Sequence, residues 1–199
     1  RGRPDGFLES FTDEKLWADR QFVLAAVTRD GTTVLVGSDD HFLHAVDAAS
    51  GTGRWAYETG GDVYSSPKLS LDDLTVYFGS RDHKLHAVNT ANGLARWTYE
   101  TGEEVRSSPA LSPDGSVVYV GSRDWKLHAV DTATGTARWT FQTGGPVHAS
   151  PALSPDGLVL YVGSDDHFLY ALDTANGLAR WTYETGRVDS SIPPFCSCQ

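Results

Sequence analysis

The 199-residue chain has no methionine, and its only cysteines, Cys196 and Cys198, form a C-x-C pair at the extreme end. The lack of methionine leads us to expect a processed form or a piece of a longer chain. One terminal C-x-C pair is expected to be a tail feature without a role, against a metal or disulfide contact, and it marks no compartment. Positive charge is also scarce. Sixteen Lys and Arg face 26 Asp and Glu, for a net charge of −10 and a pI near 5.0. Phosphate backbones demand a basic surface, so nucleic acid is excluded as a partner. No run reaches the roughly 18 to 20 apolar residues that cross a bilayer, and no apolar segment follows Arg1-Gly2-Arg3-Pro4 as a signal peptide would require. G-x-S-x-G, P-loop and supported Cys–His arrangements are missing too. What remains, 40% hydrophobic and 21% charged residues, is ordinary for a folded domain of this size.

The chain is largely made of one stretch. Ala129-Val130-Asp131-Thr132-Ala133-Thr134-Gly135-Thr136-Ala137-Arg138-Trp139 recurs as Ala45 to Trp55, Ala87 to Trp97 and Ala171 to Trp181. The tryptophans fall 42 residues apart each time, and a period of that size means a repeat architecture. In the third unit four runs have strand character: Val105 to Leu111, Val117 to Gly121, Lys126 to Asp131 and Ala137 to Gln142, separated by turn residues. The second run is apolar without alternation in every unit, as in Val117-Val118-Tyr119-Val120, so it should be covered on both faces. Stacked four-stranded sheets provide that cover. The first run carries small residues and a proline, as in Ser107-Ser108-Pro109, which suits an innermost edge strand.

The fold expected is all-β, a β-propeller of four-stranded antiparallel blades with four complete repeats. Blades are assigned to 21–61, 62–103, 104–145 and 146–187, after a poorly matching segment 1–20 in which Lys15-Leu16-Trp17 reads as a worn outer strand. Residues 188–199 hold the start of a fifth repeat, Val188 to Pro193, and a tail. These pieces do not add up to a closed ring, so an incomplete or open one is expected. Thr90 to Gly102 and Thr174 to Gly186 are identical, a sign of recent duplication.

Within the signature, Asp47, Asn89, Asp131 and Asp173 should hold the turn by accepting backbone N–H bonds. Gly51, Gly93, Gly135 and Gly177 should supply a positive φ or a close backbone approach. Trp55, Trp97, Trp139 and Trp181 should press onto the neighbouring blade. The motif Ala129-x-Asp131-x-x-Thr134-Gly135-x-x-x-Trp139, preceded by Val120-Gly121-Ser122-x-Asp124-x-x-Leu127, resembles the pyrroloquinoline-quinone (PQQ)-like β-propeller repeat with its tryptophan-docking motif, over about residues 22 to 186. The resemblance implies a fold more than a function. The family includes quinoprotein dehydrogenases, a periplasmic propeller lipoprotein of β-barrel assembly, and luminal sensor domains, so it implies a periplasmic, extracellular or luminal setting.

Where that family commonly has glycine after the aspartate of the second turn, this chain has His41, His83, Trp125 and His167. Equivalent turns of a propeller lie on one face, so these four form a candidate rim for a protein or peptide partner. The H-x-x-H pairs, His41/His44 and His83/His86, should point to opposite faces and hold no metal. Asp39/Asp40, Asp82, Asp124 and Asp165/Asp166 are expected in exposed turns serving turn chemistry, with calcium as the alternative. No catalytic residue and no cofactor is expected. The reading is a non-catalytic scaffold that binds proteins through loops on one face, with self-association through terminal blades. The alternatives are a fragment of a quinoprotein dehydrogenase, which would take PQQ with calcium, and a sensor or dimerisation domain.

Overall fold

The computed structural model describes residues 22–186; the expected worn strand near Trp17, the fifth-repeat start at 188–193 and the two cysteines lie outside them. Blade 1 comprises β1 (Phe22–Val27), β2 (Thr33–Ser38), β3 (Phe42–Asp47) and β4 (Gly53–Glu58). Blade 2 comprises β5 (Lys68–Leu69), β6 (Thr75–Gly79), β7 (Lys84–Asn89) and β8 (Ala95–Glu100). Blade 3 has β9 (Ala110–Leu111), β10 (Val117–Gly121), β11 (Lys126–Asp131) and β12 (Ala137–Gln142), and blade 4 has β13 (Ala152–Leu153), β14 (Val159–Gly163), β15 (Phe168–Asp173) and β16 (Ala179–Glu184). Each blade is one antiparallel sheet whose strands pair in chain order.

Three of the four expected strands of the third unit match β10, β11 and β12. The first does not: β9 spans only Ala110–Leu111 instead of Val105 to Leu111. Pro109 has no N–H to give, and the Ser107 hydroxyl takes the Gly121 amide at 3.1 Å where a strand carbonyl would. In blade 2 the Ser65 hydroxyl bonds both the amide and the carbonyl of Gly79. Side chains thus replace the ladder along the inner edge.

The pairing of the outer strands explains the spacing inside the signature. Ala129 lies directly opposite Trp139, and Ala45, Ala87 and Ala171 oppose the other three tryptophans. A small residue across the ladder leaves room for the indole. The register shifts next to each of these pairs, so the intervening arginine is bulged outward. There Arg54, Arg138 and Arg180 reach the signature aspartates Asp47, Asp131 and Asp173 at 2.7 to 2.8 Å.

Among the described residues the core falls into three clusters, one per blade junction. Leu35, Leu43, Ala45, Trp55 and Tyr57 of blade 1 pack on Val76, Phe78 and Val88 of blade 2. Tyr77, Leu85, Ala87, Trp97 and Tyr99 meet Val118, Val120 and Val130. Tyr119, Leu127, Ala129, Trp139 and Phe141 meet Leu160, Val162 and Leu172. β6 and β10 are buried at every position, as unbroken apolarity requires, whereas β14 alternates between buried and half-buried. Among the described residues, one face of blade 4 has no sheet against it.

The tryptophans complete each junction. Trp55, Trp97 and Trp139 donate Nε1–H to the carbonyls of Thr90, Thr132 and Thr174 in the next blade, each at 2.9 Å. Their rings lie over Gly93, Gly135 and Gly177, where an added Cβ would come within 2.6 to 2.8 Å of the indole. The same glycines have φ of +70 to +73°, so they meet a conformational and a steric demand at once. Gly51 has the same φ, +70°, with nothing near its missing Cβ.

At sub-micromolar concentration Gly51→Ala should cost about 1 kcal/mol, the backbone strain alone, and Gly135→Ala at least ~2 kcal/mol because the indole of Trp97 must also move. Urea denaturation of both variants measures the difference.

Candidate functional site

Each sheet presents two ends. At one end lie the turns between the second and third strands together with the loops that lead to the next blade, as the bond from the Thr59 amide to the His41 carbonyl shows. The candidate rim residues His41, His83, Trp125 and His167 are all exposed at this end. Their φ angles are +74, +71, +69 and +72°, the left-handed region that costs an L-residue roughly 1–2 kcal/mol. The surroundings enforce it. The carbonyls of all four accept both the amide and the hydroxyl of a threonine, Thr59, Thr101, Thr143 and Thr185 respectively. Asp40, Asp82, Asp124 and Asp166 cap the amide two residues on.

Two of the rim side chains lean on the loop leaving their own blade. His41 Nε2 lies 3.1 Å from Asp62 Oδ1, and His83 Nε2 lies 3.9 Å from Glu103 Oε2. Beside Trp125 opens a cavity of about 380 Å³ lined by Glu103, Arg123, Asp124, Trp125 and Pro146. Trp125 and the Glu103 that His83 approaches thus share one concavity. Trp125 itself is 49% exposed.

Asp40 and Asp165 are exposed as expected, but Asp82 and Asp124 are not. The side chains of Asp82 and Asp124 are only 9% and 8% exposed, because the following blade's turn is drawn under the preceding loop. Asp82, Asp124 and Asp166 accept the amides of Gly60, Gly102 and Gly144 across the junction. Asp82 also holds buried His86 Nε2 at 3.0 Å, and His86 Nδ1 lies 3.2 Å from the Tyr57 hydroxyl of blade 1. A carboxylate only accepts, so Nε2–H donates to Asp82, and Nδ1 faces the Tyr57 hydroxyl. Asp124, His128 and Tyr99 repeat the arrangement at 3.1 and 3.0 Å. At the last junction Phe141 replaces the tyrosine and Tyr170 the histidine, and Tyr170 donates directly to Asp166 at 2.6 Å. Sequence reasoning missed these straps; the recurring Asp-x-x-x-His spacing at Asp40/His44, Asp82/His86 and Asp124/His128 was the available signal. The two histidines of each H-x-x-H pair go to different partners, and no group of three metal-ligating side chains occurs among the described residues.

A second feature left unread is the charge belt at the inner edge of this face. Glu104 receives Arg81 at 3.2 Å, Arg106 at 2.7 Å and Arg123 at 3.2 Å, while Arg81 also binds Asp62 at 2.7 Å. Arg81 and Arg106 both stand 5.8 Å from the ring centroid of Tyr64. Burial alone would raise the pKa of Glu104, but hydrogen bonds from Arg123, Arg106 and Arg81 bring it down to about 2. Burial likewise opposes ionisation of Asp82, and the bond to His86, its charge and the Gly60 amide outweigh it, leaving about 2. Asp39 goes the other way, raised by burial and by Asp62, and its Oδ1 is buried without a partner among the described residues.

At the opposite end the signature side chains hold their turns. Asp47, Asn89, Asp131 and Asp173 each accept the amide two residues on. Trp181, the fourth docking tryptophan, is 47% exposed.

Residues 8–113 and 102–193 match the family model described as outer membrane protein assembly factor BamB. The crystal structure of BamB from Moraxella catarrhalis superposes with a TM-score of 0.69 and 25% identity, over 80% of this chain and 48% of that one. The chain therefore spans about half the length of that relative. A search of curated proteins gives no match.

Because the folded carboxyls of Glu104 and Asp82 titrate below their unfolded values, their stabilisation is complete above about pH 4.5 and drains away as pH falls toward 2. Denaturant melts across that range should show the decline, and Glu104→Gln should lower stability at neutral pH while making the acid slope shallower.

Proposed function

The chain belongs to the family of PQQ-like repeat propellers described as outer membrane protein assembly factor BamB, and from that premise we propose that it is a non-catalytic scaffold, working without a cofactor, that binds a protein or peptide on the face carrying His41, His83, Trp125 and His167. The observation that carries this reading is Trp125. An indole is held half-exposed in a backbone conformation that glycine would adopt without strain, beside a cavity walled by Pro146 and flanked by Arg123 and Glu103. Strain kept at an exposed aromatic is a reason to look for function there. Trp, Tyr and Arg are the side chains on which interface energy concentrates. The concavity suits an apolar side chain of an extended peptide lying on the indole, with backbone groups between Arg123 and Glu103.

The other chemistry-bearing side chains support binding over catalysis. His86 and His128 are buried between a carboxylate and a tyrosine of the neighbouring blade, and the signature aspartates are engaged by arginines and turn amides. The family's description as an outer membrane protein assembly factor is consistent with a protein partner at the rim.

Trp125→Gly tests the proposal, because it removes the ring and the strain together. Thermal stability should hold or rise, by up to about 1 kcal/mol after glycine's own entropy cost. Peptides selected by the wild-type chain from a phage-displayed random library should lose about tenfold or more in affinity for the variant. Unchanged affinity would sink the rim as the binding face.

A further inference from the structure

Two of the four signature turns carry an asparagine before the glycine. Asn92-Gly93 in blade 2 and Asn176-Gly177 in blade 4 stand where blades 1 and 3 have Ser50-Gly51 and Thr134-Gly135. Asparagine followed by glycine is the pair in which the main chain most readily attacks its own side chain, because glycine has no Cβ to hinder the approach. The glycine nitrogen gives up its proton and bonds to the asparagine Cγ, the Cγ–Nδ2 bond breaks, and ammonia leaves with that proton. Water then opens the cyclic imide at either carbonyl, giving aspartate or isoaspartate. Nothing is oxidised or reduced.

The folded turn holds each reacting atom away from that path. Gly93 N–H donates to the Asn89 carbonyl at 2.9 Å, and Gly177 N–H to the Asp173 carbonyl at 2.8 Å. The attacking nitrogen therefore keeps its proton and points back into the turn. Asn92 and Asn176 Oδ1 accept the amides of Leu94 and Leu178 at 3.1 and 2.9 Å, so each carboxamide is drawn past its glycine to the residue beyond. The indoles of Trp55 and Trp139 press on the two glycines, and the turn cannot rearrange beneath a docked ring. Both asparagines are exposed, so water reaches the imide as soon as it forms.

We propose that Asn92 and Asn176 are modification sites, deamidated only when the indole above them lifts, so that each product records an opening of the junction between blades 1 and 2 or between blades 3 and 4. The mark is permanent. An isoaspartyl residue adds a main-chain carbon inside the loop that the bond from Gly93 to Asn89 closes, and the glycine no longer returns to its place under the ring. The turn itself does not require the carboxamide, since Ser50 and Thr134 occupy the same position with hydroxyls bonded to Asp47 and Asp131. The inference does not depend on the partner-binding rim.

The two sites form a matched pair, because Thr90 to Gly102 and Thr174 to Gly186 are identical and their rates in the unfolded chain should agree. Trypsin separates them into the peptides Leu85–Arg96 and Trp139–Arg180, in which mass spectrometry counts the aspartyl and isoaspartyl products. In mildly alkaline buffer both sites should react at least about tenfold more slowly in the folded chain than in the chain unfolded by guanidinium. Trp55→Ala should speed Asn92 by at least about tenfold and leave Asn176 unchanged, and Trp139→Ala should do the reverse. Circular dichroism reports whether each variant remains folded. If Trp55→Ala does not, Trp55→Phe decides: it keeps a ring over Gly93 but cannot donate to Thr90, and it should still speed Asn92 alone. Equal rates in the folded and unfolded wild-type chain would overturn the proposal. So would a folded Trp55 variant in which Asn92 reacts no faster, or in which both sites accelerate together.

Discussion

An indole resting on a glycine is the contact on which the rest of this structure depends. The sheets are narrow, and the innermost strands of blades 2 to 4 have only two paired residues each, so no blade has a core of its own. Every large buried side chain is shared with a neighbour. The tryptophan supplies the widest apolar surface at the outer rim of that shared core, and its N–H fixes where along the next blade it lands. The remaining signature residues serve that contact. Alanine across the ladder makes room for the ring, glycine in the left-handed region lets it approach, and the aspartate holds the glycine's turn in shape.

Much of this was legible because it repeats. A 42-residue period, an unbroken apolar second strand and the Asp…Gly…Trp spacing are each sufficient to place strands and turns, and β10, β11 and β12 fall where those signals put them. What stayed hidden depends on contacts between units. The short inner strand follows from serine hydroxyls standing in for carbonyls, which no periodicity reveals. Asp82 and Asp124 look like exposed turn residues within their own unit, and they are buried only because Gly60 and Gly102 of the preceding loop lie over them. The belt around Glu104 draws arginines from two units, so no single repeat displays it. The candidate rim lies between these cases: its positions were readable as departures from a glycine pattern, while the cavity beside Trp125 needed Pro146 and Glu103 from the adjoining loops.

The two ends of the propeller hold their turns in different ways. At the signature end, strain is relieved by glycine and charges are paired, as with Arg138 and Asp131. At the rim end, four non-glycine residues are kept at φ near +70° by threonine hydroxyls and aspartate caps that recur in all four blades. The scaffold is stiff enough there to hold bulky side chains in place and display them at equivalent angles. Variation in those side chains, three imidazoles and one indole, leaves the turns unchanged.

The pairing of Phe141 with Tyr170, where the other junctions pair tyrosine with histidine, has an evolutionary corollary. Matching residues straddle the boundary between blades, so the unit that can be copied or shuffled without loss is not a whole sheet. A crossover between sheets would separate choices made jointly, bringing two phenols together or leaving an imidazole facing a phenyl ring. A crossover inside a sheet, between its third and fourth strands, would carry each matched set along intact.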